Sequence, residues 1–193
     1  MATQGPNGPS SGADSATAGV TAWTNPGNIT ADDGTFATCA TGGLPTNSHY
    51  LVATGFGFTI PNGATVDGIT VGWKRKGSGP SAVTDSSSKI VQGGTVSGTE
   101  HSAGVTWSTS NTIDTTFGSS TDLWGLTWAP ADINASNFGA ALSAAVAGSS
   151  TASVDYCQIT VWYTPAFDPA AGAPYPPQSI PPRLRQTREV VAY

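Results

Sequence analysis

Between Val20 and Tyr163 the apolar residues come in short runs that alternate with polar or small ones, and each run is closed by Gly, Pro, Asn or Asp. A period of two puts successive side chains on opposite faces of an extended strand, whereas a helix needs a period near 3.6. In the clearest run, Ala152–Tyr163 (ASVDYCQITVWY), Val154, Tyr156, Gln158, Thr160 and Trp162 share one face. Asp155, Cys157, Ile159, Val161 and Tyr163 share the other. Val66–Lys76 alternates as cleanly, with Ile69, Val71 and Trp73 on one face. Gly68 and Gly72 fall on the opposite face, where another segment can approach closely. His49–Ile60 reads as one strand with Tyr50, Val52, Phe56, Phe58 and Ile60 toward the core. Phe138–Val146 is Ala-rich enough for a helix. Yet Phe138, Ala140, Leu142, Ala144 and Val146 alternate with smaller residues and no charged face exists, so strand is the better reading.

Further strands are expected at Val20–Trp23, Thr35–Ala40, Ser87–Gln92, Val105–Trp107 and Leu123–Trp128, with long loops near residues 77–86 and 108–121. Eight or more strands without a credible amphipathic helix give an all-β chain. Uneven spacing favours a jelly-roll-like antiparallel β-sandwich over a regular up-and-down barrel.

The flanks differ from this body. Residues 1–19 are small, polar and rich in Gly, Pro and Ser, and are expected to form a flexible or extended N-terminal arm. Residues 20–163 form the sandwich domain. Residues 164–193 hold seven of the fourteen prolines and read as an extended, polyproline-like arm. The arm carries Tyr175, Ile180, Leu184, Val190, Val191 and Tyr193 beside Arg183, Arg185 and Arg188, a combination expected to dock on a partner. Its charge is +1 (three Arg against Asp168 and Glu189), whereas residues 1–163 carry -6 (four Lys and Arg against ten Asp and Glu).

Composition excludes several function classes. A net charge of -5 does not suit a nucleic-acid binder, which needs basic patches to displace counterions. Lys74-Arg75-Lys76, the one basic cluster of the body, reads as a solvated strand end. No apolar run is long enough for a transmembrane helix, and residues 1–19 hold no Lys or Arg and no apolar h-region of a signal peptide. Charged residues make up only 10% of the chain, so its surface is neutral and hydroxyl-rich and suits packing against copies of itself.

Cys39 and Cys157 could pair, but in a chain without a secretion signal two buried thiols are the expectation. With two distant His they lack zinc-ligand spacing. His49 and His101 sit in no motif, and Glu100-His101 reads as two solvated loop residues rather than an acid/base pair. No G-x-S-x-G elbow, P-loop or dinucleotide fingerprint occurs, and Gly42-Gly43 and Gly93-Gly94 are turns. Asp114, Asp122, Asp132 and Asp155 are the carboxylates a glycosidase pair would draw on, but Asp serves turns and caps as readily. Asp155, inside the strongest strand, either faces solvent or accepts backbone hydrogen bonds; the sequence leaves both open. Trp107, Trp124 and Trp128 could make a sugar-stacking platform, though tryptophans in strand-like segments more often pack the core. The chain is therefore expected to be non-enzymatic, with no cofactor, no metal, no nucleic acid and no membrane contact.

Leu123-Trp124-Gly125-Leu126-Thr127-Trp128, Ala131-Asp132-Ile133-Asn134, Asn137-Phe138-Gly139 and Val154-Asp155 with Ile159–Tyr163 form a recognisable series. With Phe58-Thr59-Ile60-Pro61 and Val66-Asp67-Gly68-Ile69 it resembles the jelly-roll-like sandwich proteins encoded among the structural genes of tailed bacteriophages. The resemblance covers about residues 20–163. It implies a capsid decoration, head-fibre or appendage protein on the virion surface, assembled in the host cytoplasm. Its partners would be copies of itself, with a trimer favoured, and the major capsid protein or another virion protein. The alternative is a host-receptor or carbohydrate-binding module of a tail fibre, with a glycan as ligand.

Overall fold

The computed structural model describes residues 1–102 and 104–166. Within them the chain is a sandwich of two antiparallel sheets, as the period-two patterning requires. The strands are β1 (Ala2–Asn7), β2 (Ser11–Ser15), β3 (Ala37–Ala40), β4 (Thr46–Asn47), β5 (Tyr50–Thr54) and β6 (Thr65–Ser78). They continue with β7 (Val83–Gln92), β8 (Thr95–Ser97), β9 (Thr112–Ser119), β10 (Gly139–Val146) and β11 (Thr151–Thr164). One sheet runs β1-β11-β6-β9, with β3 also on β11; the other runs β2-β5-β10-β7-β8, with β4 on β10. The only α-helix among the described residues is the single turn α1 (Pro130–Asn134).

The three best-patterned runs form the centres of the sheets. Ile69, Val71 and Trp73 of β6 and Cys157, Ile159 and Val161 of β11 face Ala140, Leu142, Ala144 and Val146 of β10 across one core. Phe138–Val146 is thus a strand despite its alanines, and Ala is what two close-packed sheets can accept at its centre. The backbone of Ser119 and Ser120 lies over Gly68, where an added Cβ would fall 2.2 Å from a carbonyl carbon. That is the close approach expected on the glycine face of β6.

Several local expectations are corrected. Residues 1–19 are not an arm: β1 pairs with β11 and β2 with β5, so the N-terminus supplies an edge strand to each sheet. Small residues allow it, because a Cβ at Gly12 would lie 2.2 Å from the Pro26 carbonyl oxygen. His49–Ile60 is not one strand. β5 ends at Thr54, and Gly55 (φ +76°) inverts the alternation. Leu51 and Ala53 therefore share the main core with Phe56, Phe58 and Ile60, while Tyr50 and Val52 pack on the outer face.

Leu123–Trp128 is a turn that buries Trp124 and Trp128, with Trp124 at φ +59°, and not a strand. Val20–Trp23 and Val105–Trp107 make only isolated bridges, through Thr21 and Thr106. Conversely, β9 lies in the stretch read as the loop 108–121; its Thr-rich sequence forms an edge strand with little apolar signal.

The segments behind the phage resemblance turn out to be one another's partners. The Asn134 side chain accepts from the Ile60 N–H at 2.7 Å and donates to the Ile60 carbonyl at 2.9 Å. Trp124 Nε1 donates to the Ile69 carbonyl at 3.0 Å, and Trp128 packs edge-on against Phe138 at 5.4 Å. The part of the series from Trp124 to Phe138 thus closes the end of the sandwich over the 55–69 segment, whereas Val154 and Asp155 lie toward the other end of β11.

Candidate functional site

Most of the charged residues singled out in the sequence are held in contacts that tie the fold together. Arg75 shows this most clearly. β6 does not end at Lys74-Arg75-Lys76 but runs on to Ser78, so Arg75 keeps the inward phase of Val71 and Trp73 and is fully buried. Its Nη1 contacts Asp85 Oδ1, and Nη2 donates to Asp85 Oδ2 at 3.4 Å. Trp107 Nε1 donates to the same Asp85 Oδ1 at 3.0 Å, and the guanidinium lies 4.6 Å from the Trp107 ring centroid. The expectation of a solvated basic end thus fails at Arg75, whereas Lys74 and Lys76 point outward, to Asp32 and to the Phe36 ring. Continued alternation through Arg75, with Asp85 the one acid of β7, was the sequence signal available for this pair.

Asp155 is the extra residue of a β-bulge in β11, and its carboxylate is buried on the outer face of the sheet, beneath two loops. It accepts from the Gly34 N–H at 3.0 Å and from Asn111 Nδ2 at 2.6 Å, with Lys74 Nζ at 3.6 Å. Of the two readings left open, acceptance of a backbone hydrogen bond is the one found. The Asp155 side chain pins two loops to the sheet.

Both histidines are partly buried and not solvated. His49 Nδ1 lies 2.8 Å from Asp14 Oδ2, and Asp14 Oδ1 accepts the Trp23 N–H at 2.8 Å, so the pair fastens β2 to β5. His101 Nε2 lies 3.1 Å from Asp122 Oδ2, with its ring edge-on to Trp124 at 4.4 Å. Glu100 instead accepts from Ser102, which separates it from its sequence neighbour His101. Asp132 accepts the Ala129 N–H and caps α1. Among the described residues no three His, Cys, Asp or Glu side chains converge to hold a metal.

Trp107, Trp124 and Trp128 are buried, so these three make no sugar-stacking surface. Cys39 and Cys157 are free, buried thiols. Burial, then the nearby Asp14 carboxylate, pushes Cys39 up from 9.0 to about 11, and burial alone pushes Cys157 well up. The thiolate is the reactive form. Ellman's reagent at pH 8 is therefore expected to label neither thiol in the folded chain and both in urea; rapid native labelling would contradict this burial. A thiol raised on folding stabilises the fold fully below its unfolded value. That contribution is lost as pH rises from about 9 to about 11.

The residues expected to dock, Tyr175, Ile180, Arg183, Leu184, Arg185, Arg188, Val190, Val191 and Tyr193, lie outside the described residues. What the structure adds is a surface that the sequence did not single out. A cleft of about 690 Å³ opens where β10 ends, lined among others by Val20, Pro45, Ala82, Ala145 and Ala147. Four large apolar side chains are exposed among the described residues, namely Met1, Val20, Leu44 and Val105. Val20 lines the cleft at 81% exposure, and the exposed Leu44 directly precedes the lining residue Pro45. Exposed apolar groups beside an apolar cleft on an otherwise hydroxyl-rich surface mark a contact region. Periodicity could not find it, because its residues come from four separate loops and strand ends.

Comparison of the chain with protein-family models, with curated proteins and with solved structures finds no match.

Proposed function

We propose that this chain is a non-enzymatic structural protein of a bacteriophage virion, a capsid decoration or auxiliary protein that docks on neighbouring subunits. The observation that carries the reading is the apolar cleft at one end of the sandwich, with the exposed Val20 in its lining and the exposed Leu44 next to it. On a chain with 10% charged residues, burial of that cleft against another subunit removes apolar surface from water. The phage resemblance supplies the setting, and its residues from Trp124 to Phe138 close one end of the sandwich. Asp122, Asp132, Asp155 and the two histidines, weighed for chemistry, serve as structural ties, which agrees with an assembly role. Copies of the chain, a trimer being favoured, and the major capsid protein or another virion protein are the partners proposed.

Quantitative mass spectrometry of purified particles from the lysate that contains this chain tests the reading. The chain is expected at capsid stoichiometry. A few copies per particle would move it to the tail, and absence from particles would overturn the proposal.

A further inference from the structure

The cleft and the start of the C-terminal segment lie at opposite ends of the sandwich. Ala145 and Ala147 stand where β10 turns toward the first residue of β11, Thr151, whereas the chain leaves β11 at Thr164. Fourteen strand residues separate the two ends by about 43 Å. At Ala166 the chain is still beside the Pro61–Gly63 turn, with its Cβ 3.3 Å from where a Gly63 Cβ would sit. Proline at 165 biases Thr164 toward extended backbone, so the shortest course carries the chain onward, away from its own cleft.

We infer that the cleft of one copy receives the apolar C-terminal tip, residues 180–193, of a neighbouring copy. This deepens the assembly reading and rests on it for the presence of neighbours at high local concentration. Residues 167–180 include four prolines, Pro169, Pro174, Pro176 and Pro177. At polyproline rise, such a 14-residue spacer spans about 43 Å, one sandwich length. The tip then arrives with Ile180, Leu184, Val190, Val191 and Tyr193, a set of apolar groups with no use in water. The cleft presents Val20, Pro45, Ala82, Ala145 and Ala147, with the exposed Leu44 directly before Pro45. No carboxylate lines it among the described residues, so it suits the apolar side chains, and Arg183, Arg185 and Arg188 remain at its rim. The contact is head-to-tail: one surface meets a different surface on the next copy, which builds a ring if the rotation closes.

Full-length chains carrying a single new cysteine test this directly, because the native thiols are buried. Val20→Cys and Leu184→Cys chains, differently tagged and mixed under mild oxidation, are expected to give a mixed disulfide. The yield should be at least ten-fold above that of a Thr116→Cys control, which lies on the far edge strand β9. Adding Leu44→Asp to the Val20→Cys chain should abolish the excess. Equal yields at Val20 and Thr116 would overturn the inference. So would a disulfide that forms inside a Val20→Cys/Leu184→Cys double variant at high dilution while the mixed single variants give none, because the segment would then fill its own cleft. Mixed disulfides from a chain absent from particles would sink the virion reading and leave the cleft assignment standing. Presence in particles without cross-linking would do the reverse.

Discussion

Replacing Asp85 by Ala is expected to cost about 3–5 kcal/mol of folding stability, read as a lower urea midpoint at unchanged slope. The substitution removes the Asp85 carboxylate from the fully buried Arg75 and the acceptor from Trp107 Nε1. Breaking a buried ion pair from one side costs far more than the intact pair contributes, since the pair itself has to offset the desolvation of both ions. The triple replacement Arg75→Met, Asp85→Leu, Trp107→Phe should therefore return to within about 2 kcal/mol of the native chain. If Asp85→Ala unfolded at the native midpoint, the interior ion pair would have no part in holding the two sheets together. Raising salt should not mimic the mutation, because a buried pair is poorly screened.

Deleting residues 2–15 is expected to remove about 5 kcal/mol or more, comparable with the whole stability of a small domain, and to leave an aggregating or unfolded chain. The deletion strips β1 from β11 and β2 from β5, so each sheet gains an unpaired edge. It also removes Asp14, the partner of both His49 and the Trp23 backbone. A disordered arm would be removed at no cost. A deleted chain with unchanged circular dichroism and thermal midpoint would restore the arm reading that composition suggests.

The sequence by itself determined the class of fold and the strands at its centre. β6, β10 and β11 are long, and their inward residues alternate with polar or small ones, so a period of two is resolved against noise. The burial of Trp107, Trp124 and Trp128 was legible for a related reason, as large apolar side chains between turns have few other places to go. Edge strands escaped it. β1, β2 and β9 are made mostly of small and polar residues, because an edge strand has one partner and less to bury, and the same letters spell a loop. The phase break at Gly55 and the bulge at Asp155 were also beyond it, since each depends on what the neighbouring strand does with one extra residue.

Only the tertiary structure decided which charges are interior and where apolar surface remains. Arg75 looks like one of three basic residues at a strand end until β7 brings Asp85 opposite it. Val20 reads as the start of a strand until four chain segments set it, exposed, in the lining of one cleft. A local pattern reports how a side chain points relative to its own backbone. Whether it meets a partner, a core or water is fixed by segments far away in the chain, and that is a property of the folded whole.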